Sequence, residues 1–135
     1  YFSLTTKYFH IGMGKGLLSS KLRKRIKRFL TILDENSRIG IVTAPLIAQL
    51  GKNYADSRNE LITGEELLKI ACDTVQEGQR ILGGKIVYLE CEDVPSLLRF
   101  YTDNGFCQFG RRMLDGDETD KLKGNYLLQM LKFLT

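Results

Sequence analysis

At 135 residues and 15.4 kDa, with 43% hydrophobic and 27% charged residues, the chain has the balance of one globular domain built round one core. No apolar run approaches the roughly 20 residues a membrane-spanning helix needs, because Lys, Glu or Gln interrupts each within a few positions. The net charge of +4 is uneven: seven cations and no acid lie between Lys15 and Arg28, so the rest of the chain carries −3.

Tyr1 to Ile11 is rich in aromatic and β-branched residues in rough alternation, which predicts a half-buried strand. It begins without methionine and already in strand pattern, so a preceding segment is expected. Gly12, Gly14 and Gly16 end the strand. From Ser19 to Leu33, apolar Leu22, Ile26, Phe29, Leu30 and Leu33 recur at spacings of three and four, predicting an amphipathic helix capped by Ser19 or Ser20. Its other faces carry Lys21, Arg23, Lys24, Arg25, Lys27 and Arg28, a cluster that concentrates anions or simply solvates the helix.

After a polar turn at Asp34 to Ser37, the next strand is expected over Ala44 to Leu50, with Pro45 near its start or edge because proline donates nothing to a ladder. Gly51 to Glu60 is polar and turn-forming. Thr63 and Glu66 then make a capping box for a helix whose apolar face runs through Leu67, Ala71, Val75 and Leu82, and Gly83-Gly84 stops it. Lys85 to Glu90 is a short buried strand by composition. Pro95 opens a helix with Leu97, Leu98 and Tyr101 inward, and Asn104-Gly105 closes it. Phe106 to Leu114 and Tyr126 to Leu134 read as strands joined by a polar connection. The order predicts an α/β layer with an antiparallel end.

Cys72, Cys91 and Cys107 are odd in number and lack C-x-x-C spacing, and with only His10 beside them they predict no metal site. Each falls in an apolar pattern, as a buried core thiol does, which fits a reducing, cytoplasmic setting.

The most informative stretch is Lys85 to Phe106: a buried strand, the acidic turn Glu90-Cys91-Glu92-Asp93, and a helix ending in Phe100-Tyr101-Thr102-Asp103-Asn104-Gly105-Phe106. This stretch resembles the GNAT acetyltransferases, whose last helix carries F/L-Y-x-x-x-G-F. Ile47 to Gly51 and Ile62 to Leu68 stand where that family has its cofactor strand and phosphate-facing helix. The resemblance covers nearly the whole chain, read as one domain over residues 1–135 with a basic helical insertion at about 19–33. The family's first strand, two helices and second strand have no counterpart here.

The resemblance implies a mixed, largely antiparallel sheet flanked by helices, with a splayed parallel pair at Ala44 to Leu50 and Lys85 to Glu90. Acetyl-CoA would enter between them, its amide-bearing arm completing backbone groups of Gln49, Leu50 and Gly51 as an added strand would. Lys52, Arg58, Leu61, Ile62, Thr63 and Gly64 would meet its pyrophosphate at the helix start. The sequence departs from the family there: Arg58-Asn59-Glu60-Leu61-Ile62-Thr63 stands in place of Q/R-x-x-G-x-G/A, and Val94 where many relatives have asparagine. Tyr101 would protonate the departing thiolate, while Glu90 and Glu92 would take a proton from the acceptor amine through water. His10 is given no role.

The expected activity is therefore transfer of an acetyl group from acetyl-CoA to an amine. Two alternatives stand beside it: a non-catalytic acyl-CoA-binding module, suggested by the lost glycines, and an RNA-directed protein resembling a tRNA-acetylating toxin, suggested by Lys21 to Arg28. A homodimer is left open, and no membrane partner is expected.

Overall fold

A computed structural model describes residues 1–12, 16–34, 36, 38–51, 62–115 and 125–134. The elements run β1 (Phe2–Gly12), α1 (Ser20–Ile26), a 3-10 turn (Lys27–Phe29), β2 (Leu30–Asp34), β3 (Ile39–Leu50), α2 (Gly64–Leu82), β4 (Ile86–Cys91), α3 (Pro95–Asp103), β5 (Cys107–Met113) and β6 (Tyr126–Phe133). They form a six-stranded mixed sheet of order β1-β3-β4-β6-β5, with β2 also paired to β3. All pairings are antiparallel except β3 with β4.

Helical spacing at Ser19 to Leu33 is only half realised. Ser19 caps α1 as expected, its hydroxyl accepting from the Leu22 N–H. The helix tightens at Lys27, however, and Leu30 begins β2, pairing with Val42. A seven-residue helix gains little on its own, whereas β-branched Thr31 and Ile32 suit the open side of β3. β3 correspondingly starts at Ile39, five residues before the expected Ala44, because Ile39, Ile41, Val42 and Thr43 continue the β-branched pattern opposite β1.

β3 is the hub. One side pairs with β1 from end to end; the other is shared by β2 at Ile39 to Val42 and by β4 at Leu46 and Ile47. Pro45 falls between these two partners, in an interval with a strand on one side only, where a missing N–H is least costly.

Period-two alternation divides the core across the sheet. Val87, Leu89 and Cys91 of β4 face α2 and α3, joining Leu68, Ala71, Val75, Phe106, Leu128 and Met130. Ile86 and Tyr88 face the other way, joining Phe9, Val42, Leu131 and Ile26 beneath α1. Thr63 caps α2 through its Oγ1, which accepts the Glu66 N–H at 3.1 Å. Gly105, at φ +90, lets the chain reverse so that the Phe106 N–H reaches the Tyr101 carbonyl at 3.0 Å.

Phe106, 1% exposed, sits at the centre of the α2 and α3 core. Phe106→Ala is expected to lower stability by about 3–5 kcal/mol, against about 1 kcal/mol for Thr63→Ala at the helix cap. Urea unfolding of the two variants measures the contrast.

Candidate functional site

Past Ile47 and Leu89, β3 and β4 part. β3 continues to Leu50 and β4 to Cys91 with no ladder between them. The register of β1 with β3 shifts at the same height, where Ser3 opposes Gln49 and Leu4 opposes Ile47, leaving Ala48 as an extra residue. Such a bulge bends and twists its strand, which turns the end of β3 away from β4.

The hydrogen bonds sort the three backbone positions expected to meet an arm. The Tyr1 nitrogen donates to the Gly51 carbonyl at 2.8 Å, and the Gly51 N–H donates to the Tyr1 carbonyl at 3.0 Å. Gly51 is thus committed to β1, contrary to the sequence expectation. Alternation along an antiparallel pair then turns Gln49 to β1 as well and Leu50 to the opened edge. Of the three, Leu50 carries the groups that face the opening.

A cavity of about 560 Å³ fills the gap, walled by Leu46, Ile47, Leu50 and Leu89, with Leu97 and Tyr101 reaching in from α3. Tyr101 is wedged edge-on between the rings of Phe100 (5.1 Å) and Phe106 (5.9 Å). Its hydroxyl makes no hydrogen bond among the described residues. Burial, with a smaller contribution from Cys91, pushes the phenol above its usual range, so it stays protonated at neutral pH. Burial likewise pushes the Cys91 thiol up to about 11, with Asp93 and Glu92 adding to the effect. Cys72 is raised chiefly by burial too. Both are protonated core thiols rather than nucleophiles.

The gap opens through the sheet to its α1 face. There a cleft of about 790 Å³ is lined by Lys7, Tyr88, Glu90, Arg112, Gln129 and His10, among others. Lys7, Glu90 and Arg112 border both spaces. The Glu90 carboxylate is clamped: its Oε2 accepts from Arg112 Nε at 2.6 Å and from Gln129 Nε2 at 3.3 Å. Its side chain is 15% exposed and that of Arg112 32%. Glu92 also borders the opening, so the structure brings Tyr101, Glu90, Glu92 and Leu50 to one cavity. The next acid, Asp93, is held elsewhere, accepting from the Tyr126 hydroxyl at 2.5 Å and tying the turn before α3 to the start of β6.

The start of α2 has a different character. Thr63 takes the Glu66 N–H with its hydroxyl and the Leu67 N–H with its carbonyl, and Glu65 and Glu66 stand exposed in the first turn. These acids suit the helix dipole and oppose a phosphate. A Cβ on Gly64 would lie 3.5 Å from the Phe100 ring, so this end of α2 packs against α3. Ile62 is half-buried beside it. Lys52, Arg58 and Leu61 lie outside the described residues.

Sequence reasoning missed Arg112, Gln129 and Lys7. They sit on three strands and meet Glu90 only through pairings 22 and 39 residues apart and through the width of the opening. An arginine in an otherwise half-buried strand pattern was the one local signal.

No protein-family model matches the chain, and no curated protein matches it in sequence. Among solved structures it is similar in fold to a bacterial toxin known from its crystal structure, with TM-score 0.51 and 15% identity. The match covers 97% of this chain and 58% of that one, so the chain spans little more than half the length of the protein it resembles.

Arg112→Met strips the clamp from a largely buried carboxylate and is expected to cost about 1–3 kcal/mol. Arg112→Met with Glu90→Gln should recover much of that loss in thermal unfolding, because the remaining group is neutral. A double variant no more stable than the single would mean that Arg112 acts by packing alone.

Proposed function

We propose that the chain is an acyl-CoA-dependent N-acyltransferase of the GNAT type, moving an acetyl group from acetyl-CoA to an amine. The observation that carries this reading is the gap between the parallel ends of β3 and β4, with a protonated Tyr101 on its wall whose hydroxyl has no hydrogen bond among the described residues. The edge of β3 at Leu50, which β4 leaves unpaired, offers backbone groups to an amide-bearing arm, in the manner of strand addition. A neutral amine attacks the thioester carbonyl, a C–N bond forms, and the C–S bond breaks. The leaving sulfur takes the Tyr101 proton. The proton lost by the amine passes through water to Glu90 or Glu92, which border the same cavity, and then restores the phenol.

A second reading has its own support. The capped, acidic start of α2 favours a module that holds an acyl-CoA without turning it over, because this helix end is poorly suited to grip a pyrophosphate. The fold likeness to a bacterial toxin is compatible with a toxin-like enzyme, and the basic α1 with an RNA-borne acceptor.

Acetyl-CoA is expected to raise the melting temperature of the wild-type protein and to release free thiol in the presence of amines. Tyr101→Phe should lower kcat by about 10²-fold or more while leaving the acetyl-CoA Kd nearly unchanged. Binding without thiol release in the wild type would favour the module; neither binding nor release would end both readings. The sign of the Tyr101 shift adds a pH test. An acid with a raised pKa keeps its proton to higher pH, so the rate should show no decline between about pH 7 and 9 on this group's account.

A further inference from the structure

The two sides of the opening differ in charge. On the α1 face the cleft is lined by Lys7, Arg111 and Arg112 against two acids, Glu90 and Asp115, both of which contact Arg112, at 2.6 and 3.7 Å, while the Arg111 guanidinium lies 4.6 Å from the centre of the Tyr126 ring. Lys7 is left over. It is exposed, borders both the cleft and the gap, and has no ion pair or side-chain hydrogen bond among the described residues.

This face is also the one that α1 and the 3-10 turn cover. Leu22, Ile26 and Phe29 pack in the same cluster as Phe9 and Tyr88, which holds the helix against the sheet. Its exposed cations Lys21, Lys24, Lys27 and Arg28 therefore stand over the face on which the cleft opens, and the first turn of α1 has no acid to offset them. Arg25 is spent on packing, its guanidinium 4.0 Å from the centre of the Phe133 ring. A molecule reaching the gap from this side meets the face that carries these cations and ends beside Lys7, which has no ion pair among the described residues. Like charge on that molecule is repelled and opposite charge is concentrated.

We infer that the acceptor carries its amine beside an anionic group, a phosphate or a carboxylate, and that Lys7 receives that group where the cleft meets the gap. The inference rests on the acyl-transfer reading, in that it names the substrate class of the same site. Lys7 acts by contact and α1 by steering. α1 anchors through Phe133 and Ile26 towards the start of β4, whereas Glu90 lies near its end, so a small acceptor beside Lys7 is too short to span both. A longer polyanion would meet both, and its binding would fall steeply with salt.

The test compares ethanolamine, 2-aminoethyl phosphate, glycine and an RNA oligonucleotide carrying an aminoalkyl phosphate, each as acceptor with acetyl-CoA. The anionic amines are expected to exceed ethanolamine in kcat/KM by about tenfold or more, the scale of one charge-assisted contact. Lys7→Met should bring that ratio towards one. Replacing Lys21, Lys24, Lys27 and Arg28 by Gln removes only the steering and should lower the ratio for the two small anionic amines by less than Lys7→Met does. The same replacement should weaken the oligonucleotide and flatten its salt dependence if the anion belongs to a polymer. Ethanolamine used as well as the anionic amines, or a ratio indifferent to Lys7→Met, overturns the inference. Calorimetric titration of 2-aminoethyl phosphate and ethanolamine, without acetyl-CoA, separates it from the reading beneath. Lys7-dependent binding of the phosphate alone supports the anion subsite even where no amine is acetylated, and equal or absent binding of both removes it.

Discussion

A parallel ladder of two residue pairs, Leu46 with Tyr88 and Ile47 with Leu89, is what the rest of the molecule is arranged around. It is short because β3 gives one whole side to β1 and divides the other between β2 and β4, and because the bulge at Ala48 carries its end out of reach. A backbone edge left open inside a protein must find partners in water, side chains or a ligand. Here it finds none in β4, and the surrounding elements frame the gap instead of filling it. α3 crosses one mouth with Tyr101 and Leu97, and Lys7, Glu90 and Arg112 border the other.

Because side chains alternate across a sheet, a gap between two strands joins chemistries that the same strands elsewhere keep apart. Cys91 and Glu90 are neighbours in β4, yet one lies in the core under α3 and the other in the polar cleft on the opposite face of the sheet. Desolvation on the first side keeps protons on Tyr101 and Cys91. On the second side the Glu90 carboxylate accepts hydrogen bonds from a guanidinium and an amide. A phenol and a carboxylate thus reach one space from opposite faces, kept apart by the thickness of the sheet.

Much of this could be read from the chain alone, and for identifiable reasons. Thr63 with Glu66, Gly83-Gly84, Pro95 and Asn104-Gly105 are local signals whose physics is complete within a few residues, and the helices they bound lie where expected. The splayed pair and Tyr101 came through the heptad ending in Gly105-Phe106. What failed was non-local. The pattern from Ser19 to Leu33 has helical spacing, yet its end pairs with a strand whose own start was set five residues too late, and neither could be corrected without the other. Gly51 was assigned to the opening because nothing in Ile47 to Gly51 says which way each amide points; only the register with β1 decides. The clamp on Glu90 depends on two strands that follow it, and so had no local signature.

The turn at Gly105 has a mechanical side. It ties the carbonyl of Tyr101 to the amide of Phe106, and Phe106 is among the most deeply buried side chains in the protein. The backbone that carries the phenol is therefore fastened to the centre of the core by one hydrogen bond. Local openings in proteins usually follow segments with few buried contacts, and this one has little freedom to open alone. Amide exchange at Phe106 should accordingly be as slow as that of the central strands, and the Tyr101 ring in the gap should keep its place for as long as the domain stays folded.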